Sequence, residues 1–95
     1  MIRSFKSREL EALFSRHPAR RLGPDVQRSA LRKLRMLNRA ETLQDLRVPP
    51  ANHLEALKGD RQGQHSIRIN DRWRICFRWE QGDVYDVEIV DYHKG

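Results

Sequence analysis

Apolar side chains recur at helical spacing between Leu10 and Leu37 and at two-residue spacing between His65 and Ile89, so the pattern predicts helices first and strands last. Before the helices, Ile2 to Lys6 alternates weakly and predicts a short N-terminal strand. Ser7 stands where a cap belongs, and Leu10, Leu13 and Phe14 follow at i, i+3 and i+4 on one face of a helix that Pro18 closes. Gly23 and Pro24 open a second helix. Pro24 suits its first position, where the missing N–H costs nothing, and Asp25 complements the positive end of the helix dipole. Val26, Ala30, Leu34 and Leu37 form its apolar stripe, while Arg28, Arg32, Arg35 and Arg39 run along the opposite side.

Residues 41–64 resist regular structure, because Pro49 and Pro50 break helices and Gly59 and Gly63 permit turns. Leu43, Leu46, Leu54 and Leu57 still predict that this long connection packs down. Ile67 and Ile69 then share one face of a strand. Trp73, Ile75, Phe77 and Trp79 continue that parity after a turn at Asn70 and Asp71, and Tyr85, Val87 and Ile89 follow the turn at Gly82 and Asp83. An N-terminal strand, two helices and an antiparallel β-meander predict an α+β fold, with the first strand beside the last in a four-stranded sheet.

Parity also sorts the polar residues. Arg68, Arg72, Arg74 and Arg78 lie opposite the apolar face, which predicts a sheet surface studded with arginine if the helices cover the other side. At the end of the last strand stand Asp91, Tyr92 and His93, a carboxylate, a phenol and an imidazole suited to proton transfer. Asp91 and His93 share the parity of Val87 and Ile89, whereas Tyr92 has the other. A regular strand cannot send all three into one pocket, so joint action calls for an irregular backbone between Val90 and His93.

Composition narrows the function. Ninety-five residues suffice for a single domain, 1–95, with one modest core. Nineteen Lys and Arg against 13 Asp and Glu give a net charge of +6, mostly as arginine, which grips phosphate bidentately, so nucleic acid is the leading partner. Residues 1–48 hold 12 basic and 5 acidic side chains, against 7 and 8 in residues 49–95. Arg61, Arg68, Arg72, Arg74 and Arg78 nevertheless crowd together, with Asp71 the acid nearby. The lone Cys76 excludes an intrachain disulfide and suits a reduced, structural thiol. No apolar run is long enough to span a membrane and no signal-peptide pattern follows Met1, so a cytoplasmic location is expected. His53, Glu55, Asp91 and His93 lack the local spacing of a metal site. His17 and His65 suit structural or solvent-facing roles.

Several segments together resemble the HigB toxins within the RelE/ParE superfamily: Met1-Ile2-Arg3-Ser4-Phe5-Lys6, Leu57-Lys58-Gly59-Asp60-Arg61, Ser66-Ile67-Arg68-Ile69-Asn70, Trp73-Arg74-Ile75-Cys76-Phe77, and Val87-Glu88-Ile89 followed by Asp91-Tyr92-His93. The resemblance implies a RelE-like fold and a bacterial type II toxin that cleaves mRNA on the ribosome. It also implies neutralisation by a helix-turn-helix antitoxin of the HigA type, with DNA bound only through the antitoxin complex. The family's catalytic ending maps onto Asp91, Tyr92 and His93, and its basic positions onto Lys58 and Arg74. Some members place His three residues before that lysine. Glu55 stands there in this chain and His53 is the nearest imidazole, so either side chain is a candidate. Arg61, Arg68, Arg72 and Arg78 are expected to hold the RNA backbone. RNA supplies its own nucleophile, the 2′-hydroxyl, so the expected chemistry needs no cofactor or metal. The rival reading is a catalytically inactive binding protein that uses the same basic surface.

Overall fold

The computed structural model describes residues 1–92. Helices α1 (Arg8–Phe14) and α2 (Pro24–Arg39) precede four strands, β1 (Glu55–Ala56), β2 (Gln64–Arg68), β3 (Trp73–Glu80) and β4 (Asp83–Asp91), which pair antiparallel in the order β1-β2-β3-β4. This is the expected α+β arrangement of two helices followed by a four-stranded sheet. Its fourth strand, however, is the short β1 from the long connection rather than the N-terminal segment.

The N-terminal segment runs parallel to β4 and touches it through isolated bridges, Ile2 with Val84 and Phe5 with Val87. A local cause keeps this pairing from becoming a continuous ladder. The β3–β4 register shifts between Cys76 and Arg78, and Asp86 adopts a left-handed backbone (φ 54°). The Asp86 N–H then donates to the Ser4 hydroxyl at 2.8 Å instead of to a backbone carbonyl. Ser7 is similarly diverted. Its side chain makes no helix cap, because its hydroxyl accepts from the Ile89 N–H at 2.9 Å and ties the start of α1 to β4.

Both helices contribute to one core. Leu10, Leu34, Leu37, Leu46, Ile67, Ile75, Phe77, Val84 and Val87 are almost wholly shielded from water, each such side chain contributing about 1.5–3 kcal/mol. Pro24 begins α2 as its spacing predicts, and Arg28, Arg32, Arg35 and Arg39 are exposed along its back. Lys33 is the inward exception. Its ammonium donates to Asn52 Oδ1 at 2.5 Å, and burial, then Arg32 and Arg68, hold its pKa below the ordinary lysine value.

Asn52 organises residues 41–64, where Leu46 enters the core and Leu43 and Leu54 pack against it. Fully buried, it donates to the carbonyls of Leu46 at 3.1 Å and Val48 at 3.4 Å while accepting from Lys33. Its amide thus satisfies backbone groups that a buried loop would otherwise strand. A capping box between Thr42 and Asp45 starts the 3₁₀ turn Leu43–Arg47, and its backbone donors hold the Asp45 carboxyl below the usual range. Among the described residues, no helix is long and apolar enough to cross a membrane.

Candidate active site

The sheet face opposite the helices is built from alternate residues of three strands. Ser66, Cys76 and Glu88 stand in one cross-strand row, and Arg68, Arg74 and Val90 in the next. Arg74 is the centre of this face and is only 8% exposed. A naked guanidinium cannot be buried cheaply, so it needs a partner for each donor edge. Its Nε donates to Ser66 Oγ at 2.9 Å, and its Nη2 donates to the His53 carbonyl at 2.5 Å. Glu55 Oε1 lies 3.4 Å from the same Nη2.

These interactions separate the two residues that compete for the position before Lys58. Glu55 brings its carboxylate to Arg74 from β1, whereas His53 meets the guanidinium through its main chain. His53 closes the 3₁₀ turn Pro50–Asn52 in a left-handed conformation (φ 46°, ψ 58°), which aims its carbonyl at Arg74 while its exposed side chain stays at the surface. Lys58 is exposed just before the turn Gly59–Arg61.

Tyr92 lies on the Arg74 side. The Arg74 guanidinium carbon is 5.6 Å from the centre of its ring, a cation–π interaction, and the Tyr92 N–H donates to the Arg72 carbonyl at 2.6 Å. Partial burial, followed by the neighbouring Cys76 thiol, raises the phenol's pKa. Cys76 is fully buried, and burial pushes its thiol up as well. The Asp91 Oδ2 accepts from Arg72 Nε at 3.0 Å. Pairing of β3 with β4 continues through Trp73 and Asp91 with no register break at that end. The irregular backbone expected after Val90 is therefore absent up to Asp91. His93 lies outside the described residues.

A cleft of about 280 Å³ opens beside Tyr92, lined by Arg61, Val90, Asp91 and Tyr92. Arg61 reaches it from the 3₁₀ turn after Lys58, where its Nη1 donates to Glu88 Oε1 at 3.0 Å and to Gln64 Oε1 at 3.1 Å. Glu88 raises the Arg61 pKa still further, so that guanidinium is permanently charged.

The remaining arginines depart from the bare basic surface expected of them. Arg68 pairs with Asp71, and Arg72 pairs with Asp91 while stacking 4.8 Å from the Trp73 ring centre. Arg78 binds Glu80 and, at 2.8 Å, Asp86, which depresses the Asp86 carboxyl. Proximity along the sequence offered Asp71 alone. The other carboxylates arrive from β1 and β4, or from farther along β3. Ser66, Cys76 and Glu88 were the residues of this face that motif reasoning passed over, although the parity that placed Tyr92 there places them too.

Comparison with known proteins shows the family and the fold. The family described as "RelE-like toxin of type II toxin-antitoxin system HigB" matches residues 3–93. The chain is 36% identical over 95 residues to Toxin HigB-1 of Vibrio cholerae serotype O1, covering 99% of each. It is also 36% identical over 94 residues to Endoribonuclease HigB of Proteus vulgaris, covering 98% of this chain and all of that one (100%). A chain of the YoeB-YefM complex from Staphylococcus aureus shares the fold, with a TM-score of 0.59 at 17% identity, covering 99% of this chain and 97% of that one.

Proposed function

Because the chain belongs to the HigB family of RelE-like toxins from type II toxin–antitoxin systems, we propose that it is a ribosome-dependent endoribonuclease that inhibits translation by cleaving mRNA. Membership of a toxin–antitoxin system implies a cognate antitoxin, which we assign to the helix-turn-helix HigA type. Binding to DNA would come only through that complex.

The observation that carries the assignment is Arg74, a buried guanidinium fixed by Ser66, His53 and Glu55 under the Tyr92 ring. Such a group is already oriented for charge that develops on a phosphate, so it stabilises a transition state without reorganising. In the proposed reaction a base removes the 2′-hydroxyl proton, O2′ attacks phosphorus, and the bond to O5′ breaks. The products are a 2′,3′-cyclic phosphate and, once an acid has protonated the leaving oxygen, a 5′-hydroxyl. Arg74, assisted by Lys58, neutralises the phosphorane.

Glu55 is the better placed of the two disputed residues to accept the 2′-hydroxyl proton, because its carboxylate already reaches the guanidinium that would hold the phosphate. His93, assigned by resemblance, protonates the leaving oxygen. A free imidazole, with a pKa of about 6.5, is well matched to such a transfer. Tyr92 donates a hydrogen bond or stacks on a base, and Asp91, paired with Arg72, orders the end of β4 that carries both.

Cleavage of messages on translating ribosomes tests this reading with wild type, Arg74→Ala and His93→Ala. Wild type should cut, and each variant should lose roughly 10²–10⁴-fold in rate. Binding of ribosomes without any cleavage by wild type would support the inactive binding protein instead. Undiminished cutting by His93→Ala would remove that residue from the mechanism.

A further inference from the structure

Arg61, which lines the cleft beside Tyr92, is held by a carboxylate that has no part in the proposed reaction. Glu88 projects from β4 in the row of Ser66 and Cys76, and its Oε1 accepts from Arg61 Nη1 at 3.0 Å. Gln64 accepts from the same nitrogen at 3.1 Å. The hydrogen bonds that Arg61 makes to described residues thus all run through Nη1. The edge carrying Nε and Nη2 is left for a ligand, and that edge is the fork with which arginine grips phosphate bidentately. The side chains are about one-third exposed, 33% for Arg61 and 28% for Glu88, so the pair is open to solvent rather than sealed in the core.

We propose that Glu88 is a positioning residue, which holds Arg61 so that its Nε–Nη2 edge takes the RNA phosphate next to the scissile one. This deepens the endoribonuclease reading and rests on it. The geometry supports a division of labour around Tyr92. Arg74 is buried and held by Glu55 and Ser66, whereas Arg61 is half-buried and held by Glu88 and Gln64. Tyr92 stands within electrostatic reach of both guanidiniums. Two fixed cations near one aromatic ring fit two successive phosphates with a base over the ring, the arrangement a single strand of RNA presents. Glu88 has a cost, since its negative charge lies near where RNA must come. A carboxylate there makes sense if the geometry it imposes on Arg61 outweighs the repulsion it adds.

That opposition makes the idea testable with the full-length protein. Affinity is measured with a short oligoribonucleotide carrying 2′-methoxy groups, which binds but cannot be cut, and rate with messages on translating ribosomes. Glu88→Ala should bind the oligonucleotide at least as tightly as wild type, because the cleft gains a unit of positive charge, yet cleave roughly ten- to a hundredfold more slowly. Glu88→Gln, which keeps the acceptor atom, should recover most of the rate. In an Arg61→Ala background, Glu88→Ala should slow cleavage no further. Arg61→Ala should also reduce the slope of log affinity against log salt by about 0.7.

Parallel loss of rate and affinity in Glu88→Ala, a rate that rises with affinity, or an equal slowing with and without Arg61 would each overturn the positioning role. A wild type that leaves messages intact would defeat the endoribonuclease reading instead. The salt slope of Arg61→Ala would still decide whether this cleft holds a phosphate.

Discussion

The two faces of the β2–β4 sheet are made from alternating residues of the same strands, and both are largely shielded from water, but different physics shields them. On the helix side Ile67, Ile75, Phe77 and Val87 are closed off by apolar packing against Leu10, Leu34 and Leu37. On the other side no helix covers Ser66, Arg74, Cys76 and Glu88. Their shielding comes from each other and from residues 50–61, held by directional bonds that satisfy each polar group. The apolar face tolerates approximate complementarity because dispersion and hydrophobic attraction are not directional. The polar face does not, since a misplaced guanidinium loses its partners at full desolvation cost. Stability therefore belongs mainly to one face and the proposed chemistry to the other, one residue apart along the chain.

Substitutions at Phe77 and Arg74 should break this division most sharply. Phe77→Ala empties the largest fully buried side chain and should cost about 3–5 kcal/mol in denaturant unfolding, while the molecules still folded keep their cutting rate. Arg74→Lys retains the charge, but an ammonium cannot reach Ser66 Oγ and the His53 carbonyl together with the fork's geometry. It should lose about 10²-fold in rate with a much smaller change in unfolding midpoint. If Arg74→Lys destabilised the fold as severely as Phe77→Ala, the polar face would be structural and the division would fail.

The two faces were also unequally legible in the sequence. Period-two alternation through Ile67, Ile75 and Phe77 announced the apolar face, and helical spacing announced α2, because burial on one side leaves a periodic trace. The polar face was legible in its parity, which separated Tyr92 from Asp91 and put arginine opposite isoleucine. Its pairings were not. Glu55 to Arg74, Glu88 to Arg61 and Asp91 to Arg72 join residues 19 to 27 positions apart, and no local pattern encodes which carboxylate meets which arginine. The origin of the fourth strand was hidden for a similar reason. Two residues, Glu55 and Ala56, are too few to alternate visibly, while Ile2 to Phe5 looked like a strand but met β4 at its bend.

A second contrast concerns the arginines themselves. Those around the sheet are held by carboxylates, whereas Arg32, Arg35 and Arg39 lie exposed along α2, and among the described residues only Arg28 of that stripe forms an ion pair, with Asp25. The stripe is therefore the place from which a positive field reaches a distant partner. Reversing Arg32, Arg35 and Arg39 to glutamate together should weaken ribosome binding and flatten its salt dependence by about 0.7–0.9 for each phosphate that is no longer neutralised. The unfolding midpoint should change little. Unaltered affinity for both ribosome and antitoxin would reduce the stripe to a solvated face.

The smallest expected effect tests a polar intruder on the apolar face. His65 stacks on Phe77, with ring centres 6.2 Å apart, and its buried Nδ1 has no hydrogen-bond partner among the described residues. Burial lowers its pKa in the folded state. Between that lowered value and the ordinary one of about 6.5, the unfolded chain binds more protons, so His65 makes the fold lose stability as pH falls through this window and has no such effect above it. His65→Phe keeps the ring stacking and removes the titration. Near pH 7.5 it should match wild type within about 1.5 kcal/mol, as volume-conserving swaps do. Below pH 6.5 its advantage should grow steadily in urea unfolding. A difference that stays flat with pH would mean that the imidazole charges as readily in the folded protein as in the unfolded chain, and that this edge of the apolar face is wet.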